Sequence, residues 1–253
     1  MLYEVKALKN YSLCSLNGEI GKAKEFYFDD HHWTVRYLVA DTGKWLMDKK
    51  VLLSPYALNG VSKVERCISI NLTKKQIENS PSLASNKPVS RQFEEDYYKH
   101  FDWPVYYFGS DIWGRSPLLI PGRKAEKERD REKERWDPQL RSTHDVSGCK
   151  IVALDGEVGI IEDFIIDDKT WEIRYLIVDT KDWWPGKRIL VSPQWIENVN
   201  WGDSKIFVNI LREPFKSLPE YTMDAMLTRE YETRLYQSCN RQVYWVDDPS
   251  SKK

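Results

Sequence analysis

The sequence predicts a mainly β protein, with α+β character at its edges, in which two small antiparallel β-barrels are each followed by a helix and an aromatic tail. Three observations predict it: an internal repeat, a hairpin motif in both copies, and strand-like alternation between turns. We expect the copies to pack as a pseudo-symmetric tandem pair. The predicted domains are residues 1–107 and 144–253, joined by a charged linker over 108–143.

The repeat emerges when the chain is shifted by 138 positions against itself. Leu16 to Pro55 then aligns without a gap with Leu154 to Pro193, and 18 of 40 positions are identical. Unrelated segments match far less often, so a duplication is the simplest explanation. Each copy is long enough to form its own core.

A tight turn is predicted near the start of each copy. Asn17-Gly18 and Asp155-Gly156 each lie between two apolar stretches. These residue pairs accept the positive φ that both centres of a type I′ turn require. The two motifs therefore predict β-hairpins, with Asn17, Gly18, Asp155 and Gly156 as structural turn residues.

Several short apolar segments in each copy have the composition of strands. About five antiparallel strands with no helix among them favour a closed barrel, because closure removes exposed edges, although an open sandwich is an alternative. The Ser-Pro pairs at 54 and 192 predict strand ends, since proline lacks a ladder N–H. A strand over 171–178 is predicted because Trp171, Ile173, Tyr175 and Ile177 alternate with the residues between them. The other predicted strands are 13–16, 20–28, 51–53 and 67–72 in the first copy, and 151–154, 158–166, 189–191 and 206–211 in the second.

One amphipathic helix is predicted after each barrel. Ser90 and Thr228 are suitable N-cap residues, and aromatic or apolar residues follow at helical spacing. Between the copies, residues 123–135 contain 12 charged residues in 13, which indicates a solvated, flexible linker.

Composition excludes several classes of partner. The 38 Lys and Arg balance 39 Asp and Glu, so we expect no nucleic acid partner. No apolar run approaches the length of a membrane span, and the N-terminus does not have the pattern of a secretory signal, so a cytoplasmic location is expected. The four cysteines form no CxxC pair and are predicted to be buried free thiols.

Candidate catalytic and metal-binding residues have structural explanations. Asp41 and Asp179 each end an apolar strand, and we expect them to accept N–H groups of the following turn as structural turn residues. Asp29-Asp30 and the equivalent Asp167-Asp168 are also attributed to turns, because no third oxygen-rich cluster completes a cation cage.

His31 and His32 align with Lys169 and Thr170, so a repeated metal site is not predicted. No nucleophile elbow, phosphate loop or dinucleotide fingerprint occurs in the sequence. The sequence therefore predicts no enzyme, no catalytic residue, no metal and no cofactor.

Both copies resemble the PRC-barrel domain family, and the second copy matches it more closely. The resemblance is carried by the runs that begin at Asp155, Glu162 and Trp171, and by Trp183 to Pro193. The family is named for the cytoplasmic part of the photosynthetic reaction centre H subunit. It also includes the C-terminal domain of a 16S rRNA maturation factor, which binds a ribosomal protein. The resemblance implies the barrel fold, whereas function differs among members.

The leading functional hypothesis is a non-enzymatic adaptor or assembly module that binds an unidentified protein. Trp183, Trp184 and Trp45 are the candidate partner-binding residues, because loop aromatics often anchor interfaces; covering the barrel or docking the neighbouring copy is the alternative explanation. A second hypothesis is a small-ligand or metal sensor that uses the cleft between the repeats. A third, by family analogy alone, is an accessory protein of photosynthetic or membrane electron-transfer complexes. Self-association is compatible with all three.

Overall fold

The computed structural model describes residues 1–46, 49–81, 83–84, 89–106, 140–180, 187–222 and 227–246. The described residues are mainly β, as predicted, and they divide into two compact units. The N-terminal unit comprises Ala7–Ser142 and Asp168–Glu172. The C-terminal unit comprises Met1–Lys6, Thr143–Asp167 and Ile173–Lys253.

The first half of the chain contains nearly all elements of the N-terminal unit. A short strand and a helical turn come first: β1 (Leu2–Glu4) and α1 (Val5–Leu8). The other elements are β2 (Ser12–Ser15), β3 (Gly18–Asp29), β4 (Thr34–Asp41), β5 (Lys49–Leu53), β6 (Leu58–Ser62), β7 (Cys67–Ile70), α2 (Lys74–Glu78), β8 (Leu83–Ala84) and α3 (Arg91–His100).

The second half repeats this order of elements. It begins with β9 (Leu140–Ser142) and α4 (Thr143–Val146). The others are β10 (Lys150–Ala153), β11 (Gly156–Asp167), β12 (Ile173–Asp179), β13 (Arg188–Val191), β14 (Ile196–Asn200), β15 (Lys205–Val208), α5 (Arg212–Lys216) and α6 (Arg229–Ser238).

The two sheets have the same strand order. One runs β6-β7-β2-β3-β4-β5-β8 and the other runs β14-β15-β10-β11-β12-β13. In the first sheet the β6-β7 hairpin lies beside β2, and in the second the β14-β15 hairpin lies beside β10. The predicted strands are therefore present, although the one predicted from Trp171 begins at Ile173. The sequence patterns did not indicate β1, β6, β8, β9 and β14.

The prediction of closed antiparallel barrels is corrected by the observed pairings. Among the described strands neither sheet closes, and both are mixed, because β2 pairs in parallel with β7 and β10 in parallel with β15. The reason lies after Ser54 and Ser192, where Pro55–Ala57 and Pro193–Trp195 form 3₁₀ turns. The chain then builds a hairpin on the far side of β2 or β10, at the opposite end of the sheet from β5 or β13.

Each unit is completed by a three-residue strand from the other half of the chain. β1 pairs with β11 through Leu2 and Asp167, and β9 pairs with β3 through Leu140 and Asp29. Leu2 and Leu140 are 138 positions apart, so the exchanged strands come from the same point of the repeat. The sequence did not predict this exchange.

A five-residue turn also crosses from one half of the chain to the other unit. Residues Asp168–Glu172, which join β11 to β12, belong to the N-terminal unit. There the Val35 N–H donates to the Trp171 carbonyl at 2.8 Å, and the Trp171 ring stacks on Phe26. Trp171 is therefore part of the N-terminal core.

Both predicted helices are present, and both predicted caps are confirmed. The Ser90 hydroxyl accepts from the Phe93 N–H, and the Thr228 hydroxyl accepts from the Tyr231 N–H. Satisfying the free N–H groups of a first turn is the reason serine and threonine favour this position. α3 and α6 each present an aromatic face to the sheet of their own unit.

One cluster of the N-terminal core lies between α3 and strands β4 and β5. It is rich in tyrosine, so buried hydroxyl groups must find partners within it. Its members are Tyr37, Val39, Leu52, Phe93, Tyr97, Tyr98 and Tyr106.

The linker at 123–135 lies outside the described residues, and so do Trp183 and Trp184. The predicted domain boundaries stay predictions. No helix in the described ranges is long and apolar enough to cross a membrane.

Candidate functional site: an open loop and a sealed glutamate cluster

Trp45 lies in the turn that follows β4 and is 36% exposed. It lines a cavity of about 540 Å³ in the N-terminal unit. The first half of β3 contributes Lys22, the end of β4 contributes Asp41, and α2 contributes Lys74, its first residue. An aromatic side chain beside charged groups of both signs can contact a polar polypeptide segment.

The predicted hairpin residues do form hairpins, but each turn lies one residue earlier than predicted. Leu16 and Asn17 occupy the loop, and Ser15 pairs with Gly18. Gly18 has a φ of 128°, whereas Asn17 is not in the positive-φ region. The prediction of positive φ at both residues is therefore wrong.

Asn17 and Asp155 instead use their side chains to cap distant helices. Asn17 Oδ1 accepts the Lys74 N–H at 2.9 Å, and Asp155 Oδ1 accepts the Arg212 N–H at 2.8 Å. Each bond ties the hairpin tip to the first residue of α2 or α5. Gly156, which follows Asp155, has a φ of 143°.

The backbone of β3 at Gly21 lies very close to the end of β4, and β11 at Gly159 lies similarly close to the end of β12. A Cβ atom on Gly21 would lie 2.0 Å from the Asp41 carbonyl oxygen, and one on Gly159 would lie 2.2 Å from that of Asp179. The second glycine of the repeated motif is therefore required for backbone contact. The Asp41 carboxylate accepts the Gly43 N–H at 3.0 Å, as predicted for a turn aspartate.

Asp29, the last residue of β3, is completely buried and also serves the turn that follows, as predicted. Its carboxylate forms an ion pair with Arg36 at 2.6 Å and accepts the His32 N–H. Burial raises the pKa of Asp29, but the His32 hydrogen bonds and the Arg36 charge outweigh it, so the pKa lies below its usual value. Its neighbour Asp30 pairs near the surface with Arg141, at 3.1 Å.

A second buried carboxylate, Glu94, lies in the first turn of α3 and is 4% exposed. Its Oε1 accepts hydrogen bonds from the Tyr106 hydroxyl at 2.7 Å and the Tyr37 hydroxyl at 3.2 Å. The Arg36 guanidinium lies 4.1 Å from the centre of the Tyr106 ring. One carboxylate therefore joins the helix, strand β4 and the segment after the helix.

The C-terminal unit contains the same cluster at the equivalent positions. Glu232 Oε1 accepts from Tyr175 at 2.7 Å and from Tyr244 at 3.0 Å, and Arg174 lies 4.3 Å from the Tyr244 ring centre. Here a direct ion pair is added, since Arg229 Nη1 lies 3.2 Å from Glu232 Oε2.

Burial raises the pKa of Glu94 to about 7, although the Tyr106 and Tyr37 hydrogen bonds act in the opposite direction. Burial also raises the pKa of Tyr37 and of Tyr106. A carboxylic acid that titrates near neutrality is typical of an acid–base catalyst. Glu94, however, is buried and hydrogen-bonded to Tyr106 and Tyr37, so its role is to hold parts of the fold together.

A further buried carboxylate holds the exchanged strand β1 in the C-terminal unit. Asp163 accepts the Lys6 N–H at 3.0 Å, and burial raises its pKa to about 6. Close by along the same segment, Glu4 accepts the Tyr221 hydroxyl at 2.5 Å. Residues from the first and second halves of the chain are thus bonded within one unit.

The cysteine prediction is half right. Cys149 and Cys239 are buried and free, as expected. Cys14 and Cys67, in contrast, are joined by a disulfide between the neighbouring strands β2 and β7. Their Cα atoms are 6.3 Å apart, a normal spacing for a disulfide. The sequence did not predict the pair, because the two cysteines are 53 residues apart in the chain. Among the described residues, no group of three His, Cys, Asp or Glu side chains is placed to hold a metal ion.

The fold and the site define a mainly β protein with two mixed sheets, a helix packed on each, and an exposed tryptophan in the loop after β4. Residues 138–213 match the PRC-barrel domain family, which confirms the resemblance stated from the sequence for this segment. The match does not extend to the first copy. A search of curated proteins gave no match to the chain.

Proposed function

We propose that this protein is a non-catalytic module that binds a protein partner through the loop after β4. The observation that carries the proposal is the position of Trp45, which is exposed at the edge of a cavity of about 540 Å³. Large aromatic side chains in such positions are the usual anchors of protein interfaces, because they bury much area at little cost in conformational entropy.

The divergence of this loop between the two copies supports a recognition role. The strands on either side, β4 and β5, keep 6 of 13 residues between the copies, whereas Gly43-Lys44 aligns with Lys181-Asp182 and shares no residue with it. A loop needed only to connect strands would be under the same structural constraint in both copies. We propose that the two loops contact different parts of the partner, with Trp183 and Trp184 as anchors in the second.

The absence of catalysis is part of the proposal. Burial raises the pKa of Glu94 to about 7, a value suited to a catalytic acid, but Glu94 is 4% exposed and hydrogen-bonded to two tyrosines. A general acid must reach its substrate directly or through one water molecule. A role in holding the fold together accounts for Glu94 without any reaction.

The test is photo-crosslinking in extract of the source cells, with a photoreactive amino acid at position 45. We expect a discrete crosslinked protein that disappears when excess unlabelled protein is added, but persists when the competitor carries Trp45→Ser. Val64 is 95% exposed, lies in the turn between β6 and β7, and provides the matched control. Competition by Val64→Ser should equal that by the wild type. Equal competition by both variants would contradict a role for Trp45.

The second loop requires its own variant. Replacing Trp183 and Trp184 together by serine should weaken the same complex if both loops bind one partner. An unchanged complex would restrict recognition to the first loop.

A small-ligand sensor is the second candidate, and the volume of the cavity favours it. A space of about 540 Å³ lies in the range of small-molecule sites. Thermal shift against metabolites and metal ions, with Trp45→Ser as the control, separates this candidate from the adaptor. An association with electron-transfer complexes, a cytoplasmic location and self-association stay predictions.

A further inference from the structure

Glu94 connects three separate segments through one carboxylate. It belongs to α3, while Tyr37 belongs to β4 and Tyr106 to the segment that follows α3. The same segment stacks on the helix end through Trp103 and Phe101, whose ring centres are 4.5 Å apart. Whatever weakens Glu94 therefore weakens the attachment of helix and segment to the sheet.

Charged and titratable groups approach Glu94 from strand β4, from α3 itself and from the segment that follows α3. Arg36 on β4 stabilises a negative charge there, but Asp29 already holds Arg36 at 2.6 Å. On the helix, Arg91 lies one turn away, and its charge also lowers the pKa of Glu94, although Arg91 pairs with Glu95 at 3.9 Å. Among the described residues, Glu94 has no ion pair of its own within 4.0 Å. The tyrosines that face it are Tyr37, Tyr98 and Tyr106.

The equivalent Glu232 differs in one respect. Arg229, the counterpart of Arg91, forms a direct ion pair with it at 3.2 Å. The counterpart of Glu95 is Thr233, which carries no charge and donates its hydroxyl to the Arg229 carbonyl. Replacing glutamate by threonine at this position thus leaves the arginine available for the buried carboxylate.

We propose that Glu94 is a proton-controlled lock, which holds α3 and residues 101–106 against β4 while it is protonated and loosens them when its proton is released to solvent. An uncompensated charge in this enclosed position is costly, whereas the neutral acid keeps its hydrogen bonds. Glu232, with its arginine, provides no such lock.

The direction of the effect follows from linkage. Burial raises the pKa of Glu94 from the ordinary 4.5 to about 7, so the closed form binds the proton more tightly than an open form does. The stabilisation is complete at low pH and is lost as the pH rises through the interval between these values. Opening exposes the aromatic face of α3, including Phe93 and Tyr97.

The test is hydrogen exchange with mass spectrometry on the full chain at about pH 5.5 and about pH 8.5, corrected for the intrinsic pH dependence of exchange. We expect the opening equilibrium of residues 91–106 to rise about tenfold at the higher pH. The α6 peptide, residues 229–238, should show no such change. Equal protection of residues 91–106 at both pH values would overturn the proposal.

Two variants assign the effect to Glu94. In Glu94→Gln the pH dependence of residues 91–106 should disappear, whereas in Glu232→Gln it should remain. Glu95→Thr, a surface change copied from the second repeat, should shift the transition to lower pH by releasing Arg91 toward Glu94. This variant provides the test even if Glu94→Gln fails to fold. A transition that Glu95→Thr leaves at the same pH would contradict the electrostatic mechanism.

Discussion

The carboxylate of Asp155 accepts a hydrogen bond from the backbone N–H of Arg212 at 2.8 Å, across 57 residues of chain. Asn17 makes the same bond to Lys74 in the other unit, at 2.9 Å. Asparagine and aspartate at this position are therefore explained by an acceptor oxygen that caps a helix. The requirement for positive φ is met by the glycine that follows.

The two caps should differ in their contribution to stability. α2 is also capped by Thr73, whose side chain forms a capping box with Gln76, whereas α5 begins after Leu211 without a side-chain cap of its own. We expect Asp155→Ala to lower the free energy of unfolding by about 1 kcal/mol and Asn17→Ala by less. Urea unfolding of both variants measures the difference. Asp155→Asn, which keeps the acceptor, is the control, and equal losses for the two alanine variants would contradict the explanation.

The repeated glycines Gly21 and Gly159 should not tolerate a methyl group. A Cβ on either would lie within 2.2 Å of a backbone carbonyl oxygen on the neighbouring strand, which cannot move without breaking the ladder. We expect Gly21→Ala and Gly159→Ala each to cost about 2 kcal/mol or more. Gly202→Ala is the matched control, since its nearest atom is a side-chain oxygen of Asn200 at 3.4 Å. Thermal unfolding of the three variants provides the comparison, and a stable Gly21→Ala protein would show that the strands can separate.

Neighbouring aspartates should respond very differently to the same change. Asp29→Asn leaves the buried Arg36 charge without its partner, so we expect a loss of about 3–5 kcal/mol. Asp30→Asn disrupts a partly exposed pair with Arg141, and we expect about 0–1 kcal/mol. Because the pKa of Asp29 is lowered, its stabilisation is present above the ordinary value of 3.8 and is lost as the pH falls below it. Unfolding in urea at acid and neutral pH tests both statements.

Local chemistry explains what the sequence predicted correctly. Helix caps at Ser90 and Thr228, and strand ends at Ser54-Pro55, depend on the hydrogen bonds of a few adjacent residues, so the pattern contains the information. The turn at Asn17 was misplaced because its acceptor serves Lys74, which is distant in sequence.

Long-range relationships account for what the sequence did not predict. The exchange of β1 and β9 depends on strand pairing between halves of the chain, which no local pattern specifies. The Glu94 cluster could have been predicted from the sequence, because Glu94 and Tyr106 have identical counterparts, Glu232 and Tyr244, 138 positions later. Comparison of the copies beyond Pro55 provides that evidence.

Asp163 should make the attachment of β1 depend on pH in the mildly acidic range. Its pKa is raised to about 6 by burial, so the folded form binds the proton more tightly than the unfolded chain, whose ordinary value is 3.8. Stability contributed by protonation is therefore lost as the pH rises from about 4 to about 6. Asp163→Asn keeps an acceptor for the Lys6 N–H and should flatten this part of the pH profile. Urea unfolding as a function of pH measures it, and an unchanged profile would contradict the assignment.

The reciprocal exchange of strands predicts that the two halves stay together when the chain is cut between them. A protease site placed within residues 107–139 separates a first fragment, which carries β1 for the C-terminal unit, from a second, which carries β9 and Asp168–Glu172 for the N-terminal unit. We expect the cut protein to elute as one species in size-exclusion chromatography and to separate in urea, because each fragment supplies backbone pairing that the other unit lacks. Removing residues 1–4 and replacing Arg141 by proline disrupts the pairing of β1 and β9, since proline cannot donate to the ladder, and leaves Asp168–Glu172 in place. Separation of the cut wild type under native conditions would show that the exchanged strands contribute little, whereas separation of this variant alone assigns the association to them.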